Sequence, residues 1–380
     1  MNKYKSFGIL CLLMVQFFLQ AQDKLEIKGL KIFGDFRYRI EQDWDSRKAN
    51  GSFREDRTRM RYRARLGFRY QYKDVGLVGM QLRTGIPGKQ QDPQLTVGDK
   101  ANGQGTVPVG LDKFYFQTNF WGFETWMGKN SFPFEKQNDL FWSNNVCPEG
   151  IFLKRPISTN EDYVQDVELR MGHFIIENNN DALSEDGYFQ AIQFSGNLLD
   201  KRLRLFPSLY YFKNLPNIPD GAKVFYMEYS IFHLGAKYVI SKADKLSFQA
   251  DFYRNLTTYS DQNFMAEGYK NGRTGTSLAL KYGDLMEKGD FTIKCVFTYM
   301  EKYAAVDFLA QNDWGRWDYG SDGSPDGRLT NFRGVELMAG YAIDEKLLLK
   351  LRMFRIKQLV AIDGEQETGS RLRLDLDFKF

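Results

Sequence analysis

Apolar and charged side chains alternate with a period of two over long stretches of this chain. In residues 30–41 the even positions are apolar or glycine, and all odd positions except Phe33 are charged. In residues 59–71 arginine occupies five of the seven odd positions, while every even position is apolar or aromatic. A helix would spread both sets around its axis, whereas a strand places them on opposite faces. Both segments therefore predict strands with one apolar and one charged face.

These strands are longer than those of an ordinary globular sheet, which run about five or six residues. A tilted strand that crosses a membrane needs roughly nine to eleven. The final segment, 371–380, has that length and ends on the aromatic Phe380. The mean hydropathy of −0.48 is typical of a water-soluble protein. A barrel strand can have the same mean, because its lipid-facing and water-facing residues alternate and their hydropathies cancel. We predict an all-β fold, a transmembrane antiparallel up-and-down β-barrel whose last strand pairs with its first.

The connections between the segments alternate in length. Short ones such as 73–74 and 121–122 alternate with long polar ones such as 43–56, 86–110 and 303–331. Bacterial barrels have this layout, with short periplasmic turns and long extracellular loops. We predict about sixteen strands, with fourteen and eighteen as alternatives because 150–170 is hard to divide. The predicted strands are 28–42, 57–72, 75–85, 111–120, 123–130, 150–155, 166–176, 188–198, 202–212, 224–240, 246–256, 274–282, 291–301, 332–343, 347–358 and 371–380.

Residues 1–21 have the layout of a secretory signal peptide. Lys3 and Lys5 precede an apolar stretch from 7 to 19, and cleavage is expected near Ala21 and Gln22. No later stretch reaches the roughly 18 uninterrupted apolar residues that a membrane helix needs. We therefore expect residues 22–380 to form a single barrel domain, located in the outer membrane of a Gram-negative cell and in contact with its lipid.

Charge and cysteine content exclude several other classes of function. The formal net charge of +4 is too small to indicate nucleic-acid binding. Beyond the predicted signal peptide only Cys147 and Cys295 remain, and their spacing fits no zinc-binding pattern. We expect no nucleic-acid partner, no disulfide, no metal and no cofactor.

Several short motifs lie within residues 111–154 and again toward the C-terminus. They are Gly128-Lys129-Asn130, Pro133-Phe134, Leu140-Phe141-Trp142, Pro148-Glu149-Gly150, Asn312-Asp313-Trp314-Gly315 and the ending 371–380. In these motifs the chain resembles a porin family of Gram-negative outer membranes, and the resemblance spans most of the chain after the signal peptide. The chain departs from the family at Asn144 and Asn145, where an acidic residue is usual, which argues against an acidic lining there. The resemblance implies a water-filled barrel.

Arginines recur at every second position on two neighbouring predicted strands. An arginine facing lipid at mid-bilayer costs about 2–4 kcal/mol, so these side chains must face the lumen. One hypothesis is a basic wall that lines the pore and attracts anions. The alternative is a solvated wall balanced by acids of other strands, such as Asp251, Asp375 and Asp377. The predicted pore-lining residues are Arg37, Arg39, Arg59, Arg61, Arg63, Arg65 and Arg373.

The long connection 131–149 is the third one along the chain. In porins the third loop generally folds inward and narrows the channel, so we predict a constriction here, with acids on the loop facing arginines on the wall. Its aromatic residues could wedge the loop against the wall. The alternative is an outward lid that packs on itself. The candidate constriction residues are Glu135, Lys136, Asp139, Trp142 and Glu149.

Aromatic residues near predicted strand ends indicate interface girdles. They are Trp44, Tyr72, Trp121, Tyr211 and Tyr253. The alternative interpretation, platforms on which sugars stack, requires these rings to lie inside the lumen.

The pattern as a whole predicts a porin through which small hydrophilic or anionic solutes diffuse passively, assembled as a homotrimer. One alternative is a substrate-specific channel or polysaccharide exporter, because a basic lumen suits acidic polymers. A remote alternative is an outer-membrane hydrolase, for which the chain offers only His173 and His233 as bases and no Gly-x-Ser-x-Gly motif. We therefore expect no enzymatic activity.

Overall fold

The structure is a computed structural model, and it describes residues 28–87, 91, 93–98, 105–159, 163–179, 182–216, 226–262, 267–314, 329–361 and 364–380. The predicted signal peptide, residues 1–21, lies outside the described residues. Within the described ranges the one helical element is a short 3-10 turn, Asp307–Leu309. None of these residues belongs to a helix long and apolar enough to cross a membrane.

Sixteen long strands form one closed antiparallel sheet, in which each long strand pairs with its neighbours in the chain. Each overlaps one of the sixteen predicted strands, and the ends differ by a few residues, so the predicted barrel is confirmed. The strands are β1 (Leu30–Trp44), β2 (Arg57–Tyr72), β3 (Gly76–Thr84), β5 (Val109–Phe120), β6 (Phe123–Lys129), β7 (Glu149–Ile157), β8 (Val164–Glu177), β9 (Gly187–Leu198), β10 (Leu203–Pro216), β11 (Tyr226–Ser241), β12 (Leu246–Asn255), β13 (Thr274–Gly283), β14 (Phe291–Met300), β15 (Phe332–Asp344), β16 (Leu347–Gln358) and β17 (Thr368–Lys379).

The sequence analysis missed one element, the two-residue strand β4 (Leu95–Thr96). It pairs with β2 at Arg61 and Tyr62, beyond the point where β3 has ended. A segment this short has no periodicity to detect, because its pairing depends on where the long connection returns to the wall.

The first and last of these strands close the barrel. β1 and β17 pair in continuous register from Asp35 opposite Lys379 to Trp44 opposite Ser370. The pairing continues to the last residue, since Phe380 and Gly34 exchange backbone hydrogen bonds of 3.1 Å in both directions. Closure satisfies the backbone groups that an open edge would expose to lipid.

The faces of the barrel follow the alternation seen in the sequence. On β1 the apolar Ile32, Phe36 and Ile40 are exposed on the outside, while Arg39 and Glu41 are buried inside. The same arrangement holds for long stretches of the other strands, where exposed large apolar residues alternate with buried or half-buried ones. An exposed apolar exterior is stable in lipid, which supports a barrel embedded in a bilayer.

The short connections include a two-residue turn. Trp121 and Gly122 join β5 to β6, and both have positive φ, 50° and 76°. That geometry matches the twist of the flanking strands, and glycine adopts it without steric cost. Trp121 is 84% exposed there, as a girdle residue would be.

One predicted girdle residue was placed wrongly. Tyr253 is 1% exposed and lies inside the barrel, where its ring stacks on His233. The error has a simple origin, because Tyr253 follows Asp251 by two residues on β12 and therefore shares its inward phase.

Two connections fold into the lumen and carry much of the buried core. The first inward loop comprises residues 130–148, between β6 and β7. The second inward loop comprises residues 301–314 and 329–331, the described parts of the connection between β14 and β15. Trp142 of the first and Ala304 of the second are almost fully buried. Both the strand walls and these two loops therefore contribute to the interior of the barrel.

Candidate pore and its two inward loops

The inner face of β2, β1 and β17 carries five consecutive rows of charged residues, which we call the basic wall. Each row has one residue from each strand, paired across the sheet. All fifteen residues are charged, ten basic and five acidic. From the long loops toward the short turns, the rows are Arg57-Asp43-Arg371, Arg59-Glu41-Arg373, Arg61-Arg39-Asp375, Arg63-Arg37-Asp377 and Arg65-Asp35-Lys379.

The acids of β17 bind the central arginines of β1. Arg37 Nε and Asp377 Oδ1 are 2.5 Å apart, and Arg39 Nε and Asp375 Oδ1 are also 2.5 Å apart. Each arginine uses a second nitrogen on the same carboxylate, which makes both pairs bidentate. One alternative predicted from the sequence was that Asp375 and Asp377 balance the charge of the wall arginines. That alternative is correct for Arg37 and Arg39.

The acids of β1 are shared between arginines. Asp35 accepts hydrogen bonds of 2.7 Å from both Arg63 Nη2 and Arg65 Nε. Glu41 accepts from Arg373 Nε at 2.8 Å and also contacts Arg59. Because each of these carboxylates is shared by two guanidinium groups, the basic residues outnumber the acids within the five rows.

Aromatic contacts hold the first inward loop against the opposite side of the barrel, the inner face of β7–β12, which we call the covered wall. Phe141 stacks on Tyr253 with ring centroids 5.3 Å apart and planes 6° apart. Trp142 packs against Phe189 of β9 at 4.9 Å. Within the loop, Phe132 stacks on Trp142 at 4.5 Å. The wedging role expected of these aromatic residues is thus visible as direct packing.

Polar contacts fix the same loop to β12. Asp251 Oδ2 accepts hydrogen bonds from Gln137 Nε2 at 2.9 Å and from Asn138 Nδ2 at 2.7 Å. His233 Nε2 lies 2.9 Å from Asp251 Oδ1. Asp251 therefore binds the loop, and does not balance the arginine wall as the sequence alternative supposed.

The predicted constriction residues lie in three different settings. Glu135 forms a bidentate pair with Arg204, at 2.6 and 2.7 Å, and also contacts Arg170 at 3.3 Å. Its partners belong to β10 and β8, so this acid does not contact the arginines of β1 and β2 that the sequence analysis proposed. Lys136 donates to Asp139 Oδ1 at 2.7 Å, an ion pair internal to the loop.

Trp142 and Glu149 differ from the prediction in burial and position. Trp142 is 1% exposed, so it anchors the loop and presents no surface to a solute. Glu149 is the first residue of β7 and pairs with Lys129 of β6. Because Phe152 of the same strand points inward, the alternation of the strand turns Glu149 to the outer face. Glu149 is therefore not part of a constriction loop.

An acid that the sequence analysis did not select reaches the basic wall from the second inward loop. Asp313 Oδ2 lies 2.6 Å from Arg352 Nη1, and Asp313 Oδ1 lies 2.6 Å from Arg373 Nη1 and 3.9 Å from Arg39 Nη1. Burial alone would raise the pKa of Asp313, but the guanidinium groups of Arg373, Arg352 and Arg39 outweigh it and hold that pKa well below its ordinary value. The usable signal was the Asn312-Asp313-Trp314 motif itself, an acidic residue beside an aromatic one in a long loop.

The two inward loops touch each other inside the barrel. The backbone N–H of Ser143 donates to the carbonyl of Leu309 at 2.8 Å. Gln91, from the connection between β3 and β4, contacts both loops: its Nε2 donates to the carbonyls of Phe308 and Ala310 at 2.8 and 2.7 Å, and its carbonyl accepts from Asn145 Nδ2 at 3.2 Å. The lumen is therefore bridged from the covered wall to the basic wall.

Neither histidine stands in a site open to substrate. His233 is 2% exposed beneath Phe141, so a substrate would have to displace the first inward loop to reach it. His173 shares the outward phase of β8, since its neighbour Phe174 is fully buried inside. Among the described residues, His, Cys, Asp and Glu side chains form no group that could hold a metal ion. Of the cysteines in the described part of the chain, the buried Cys147 and the exposed Cys295 form no disulfide.

Fold and interior together define a class: a closed sixteen-stranded antiparallel barrel with an apolar exterior, a charged inner wall and loops folded into its lumen. No protein-family model and no curated protein matches the sequence. Solved structures do match, and porins are among them. OprB of Pseudomonas putida has 13% sequence identity and a TM-score of 0.56, with 95% of this chain and 97% of that chain covered.

Two other porins are similar to the same extent. OmpF of Salmonella typhi, in a complex with daunomycin, has 11% identity and a TM-score of 0.53, covering 92% of this chain and 97% of that one. A variant of the Rhodopseudomonas blastica porin has 12% identity and a TM-score of 0.51, covering 92% and 100%. At this level of identity the similarity establishes the fold, and the chain has the fold of a porin.

Proposed function

We propose that this protein is an outer-membrane porin through which small hydrophilic solutes diffuse passively, with a preference for anions set by the basic wall. The observation that carries the proposal is the set of five rows, in which ten of fifteen charged residues are basic. The basic residues that outnumber the acids of these rows need water, counterions or acids of the loops as partners, because desolvating unpaired charge is costly. A barrel of about sixteen strands is wide enough to hold that water.

The anion preference follows from the electrostatics of a narrow passage. A wall with excess positive charge raises the local concentration of anions and lowers that of cations, and low-dielectric surroundings strengthen the effect. The basic excess is concentrated on one side of the barrel, and the loops that bridge the lumen direct solutes past that side. The predicted pore-lining arginines supply most of this charge.

Ion selectivity in planar bilayers tests the proposal. Under a KCl gradient the reversal potential of the wild type should have the sign of an anion-preferring channel. Replacing Arg61 and Arg63 by Glu should move it toward cation preference, since four units of charge change on the wall. A matched control replaces the exposed turn lysines Lys288 and Lys346 by Glu, with the same change in net charge.

Two outcomes would contradict the proposal. One is a wild-type protein that inserts but carries no current, and the other is a selectivity that the double variant and the control shift equally. If the double variant does not fold, Arg65→Gln provides a milder test, because Arg65 is only partly buried. Folding is checked by the heat-dependent mobility of the barrel in detergent gels.

A substrate-specific channel or polysaccharide exporter is the second candidate. The contact between Ser143 and Leu309 favours it, because loops that meet across the lumen narrow the passage. A general porin would give a current proportional to voltage and no block at low solute concentration. A specific channel would show saturable block by its own solute.

The outer-membrane location and the homotrimer complete the proposal. The apolar exterior of the barrel supports a bilayer location. Membrane fractionation tests it, since recovery with soluble periplasmic proteins would contradict it. Mass determination of the detergent-solubilised protein tests the homotrimer, and a monomer or dimer would contradict that part.

A further inference from the structure

A pair of basic side chains lies on the outer face of the barrel, at the end of the strands nearest the long loops. Arg333 of β15 and Lys357 of β16 are directly opposite each other in the sheet. Both are exposed, while their strand neighbours Phe332 and Gln358 are buried inside the barrel. The pair therefore belongs to the outer surface and not to the pore.

Neither basic group is balanced by an acid of the described part of the chain. The side chains of Arg333 and Lys357 form no ion pair and no hydrogen bond with the residues that the structure describes. Glu301, directly after β14, instead accepts hydrogen bonds from the Tyr299 hydroxyl at 3.0 Å and from the backbone N–H of Thr274 at 2.7 Å. Like charges directly opposite each other destabilise a sheet, and an anion bound between the two groups would remove that repulsion.

The height of the pair on the barrel corresponds to a membrane boundary. Arg333 and Tyr341 are eight positions apart on β15, about 27 Å along the strand at roughly 3.4 Å per residue. With a tilt of about 40° this is about 20 Å across the membrane, close to the roughly 25 Å apolar band of barrels. Tyr341 is exposed at the short-turn end of this span, and Tyr299 lies opposite Arg333 at the other end. The basic pair therefore lies at the level of the lipid headgroups on the long-loop side.

The outer face becomes apolar from the basic pair toward the short turns. Val335 and Leu337 of β15 and Leu351 and Met353 of β16 are exposed large apolar residues on the same face. Such a surface packs against acyl chains. Cationic groups at headgroup level and apolar side chains beneath them together fit an anionic lipid, and a free anion would have no use for the apolar part.

We propose that Arg333 and Lys357 bind the phosphate of an anionic lipid in the leaflet on the long-loop side, with the acyl chains of that lipid packed on β15 and β16. The arginine fork binds two phosphate oxygens, and the lysine adds a compact positive charge. Basic pockets at membrane boundaries recognise phosphorylated headgroups in this way. The inference goes beyond the proposed function, because it rests on the bilayer location of the barrel and not on what the pore conducts.

Native mass spectrometry of the purified protein in detergent tests the binding. Lipid A with two phosphates is the probe, phosphatidylethanolamine tests whether net negative charge is required, and inorganic phosphate tests whether the lipid is required. Lipid A should bind more tightly than the other two. Replacing both Arg333 and Lys357 by Gln should weaken its binding about tenfold or more, since two basic groups at the headgroup are lost. Arg333→Lys should weaken binding less than Arg333→Gln.

The matched control replaces Lys288 and Lys346, on exposed short turns at the other end of the barrel, by Gln. It makes the same change in net charge and should leave lipid A binding unchanged. The heat-dependent mobility of each variant in detergent gels checks that the barrel is folded. Ion selectivity of the Arg333 and Lys357 double variant should equal that of the wild type, because both side chains lie outside the lumen.

Equal binding of phosphatidylethanolamine or inorganic phosphate would overturn the inference, as would a double variant that binds lipid A like the wild type. A double variant with an altered oligomeric mass and unaltered lipid binding would instead assign this face to a subunit contact. If lipid A does not bind but the anion-preferring current persists, the lipid site is wrong and the porin stands. If lipid A binds through this pair but no current is seen, the proposed function alone fails.

Discussion

The basic wall and the covered wall face each other across one barrel but are built on different principles. Every inner position in the five rows of the basic wall is charged, and the inward loop that reaches it does so through the ionic side chain of Asp313. The covered wall presents aromatic and amide side chains, and the first inward loop packs on them through Phe141 and Trp142. The basic wall therefore supplies the electrostatic field of the lumen. The covered wall supplies the packing surface for the first inward loop, which narrows the passage.

Trp142→Ala should have the largest effect on the covered wall. The indole is 1% exposed and packs between Phe132 and Phe189, so its removal leaves a cavity and should lower the free energy of unfolding by about 3–5 kcal/mol. Urea titration of the folded barrel measures the change. Trp121→Ala is the matched control, because that indole is 84% exposed on the turn between β5 and β6 and its removal should cost clearly less than removal of Trp142. Equal losses in both variants would show that the loop is not anchored as described.

Asp251→Asn should destabilise the same wall by a smaller amount, about 1–3 kcal/mol. The carboxylate is 2% exposed and accepts hydrogen bonds from Gln137 and Asn138 through one oxygen. An amide keeps a single acceptor oxygen, so the loop or His233 loses a partner. Urea titration again gives the value, with Asp200→Asn on an exposed turn as control. A loss no greater than that of the control would remove Asp251 from its anchoring role.

The difference between the walls also explains what could be predicted from the sequence. On β1 and β2 apolar and charged residues alternate because one face of the strand meets lipid and the other meets water. The sequence therefore predicts the strand, the face that points into the lumen and the charge of that face. On β9 the inward Phe189 and the outward Phe194 are both aromatic, so the pattern gives a strand but not its lumenal environment. The aromatic inner phase is itself a signal that something covers that wall.

The partners of the loops could not be predicted, for a physical reason. Glu135 binds Arg204, 69 residues away, and Asp313 binds Arg373. Which arginine meets which loop acid depends on the closure of the barrel and the path of each loop, and neither leaves a local pattern in the chain. The sequence therefore placed the acids of 131–149 opposite the wrong arginines and overlooked Asp313.

Arg65→Ala should change the ion selectivity of the basic wall with little change in the free energy of unfolding. The side chain is partly exposed and shares Asp35 with Arg63, so its removal should cost no more than about 1 kcal/mol of unfolding free energy. The reversal potential under a KCl gradient should nevertheless move toward cation preference, because one positive charge leaves the wall. A large loss of stability with unchanged ion selectivity would contradict this assignment, because the basic wall would then stabilise the fold without setting the ion preference.

At neutral pH no effect on stability is expected from Cys147, but its thiol reports whether the first inward loop remains packed on the covered wall. Burial, with a further contribution from the Asp112 carboxylate, raises the pKa of the Cys147 thiol to about 11, from an ordinary value of 9.0. The folded protein keeps this proton after the unfolded chain has lost it. Stability should therefore be independent of this group at pH values well below 9 and should fall as the pH rises from about 9 to about 11.

The rate of thiol labelling of Cys147, measured in a Cys295→Ala background, tests the packing of the first inward loop as well. Since the thiolate is the reactive form, a maleimide should modify Cys147 slowly in the folded barrel at mildly alkaline pH and quickly in urea. Trp142→Ala should raise the folded-state rate, whereas Trp121→Ala should not, because only the former loosens the contact between loop and covered wall. Rapid labelling of the folded Cys295→Ala protein would mean that the first inward loop detaches readily from the covered wall. The covered wall would then be accessible to solutes, as the basic wall is.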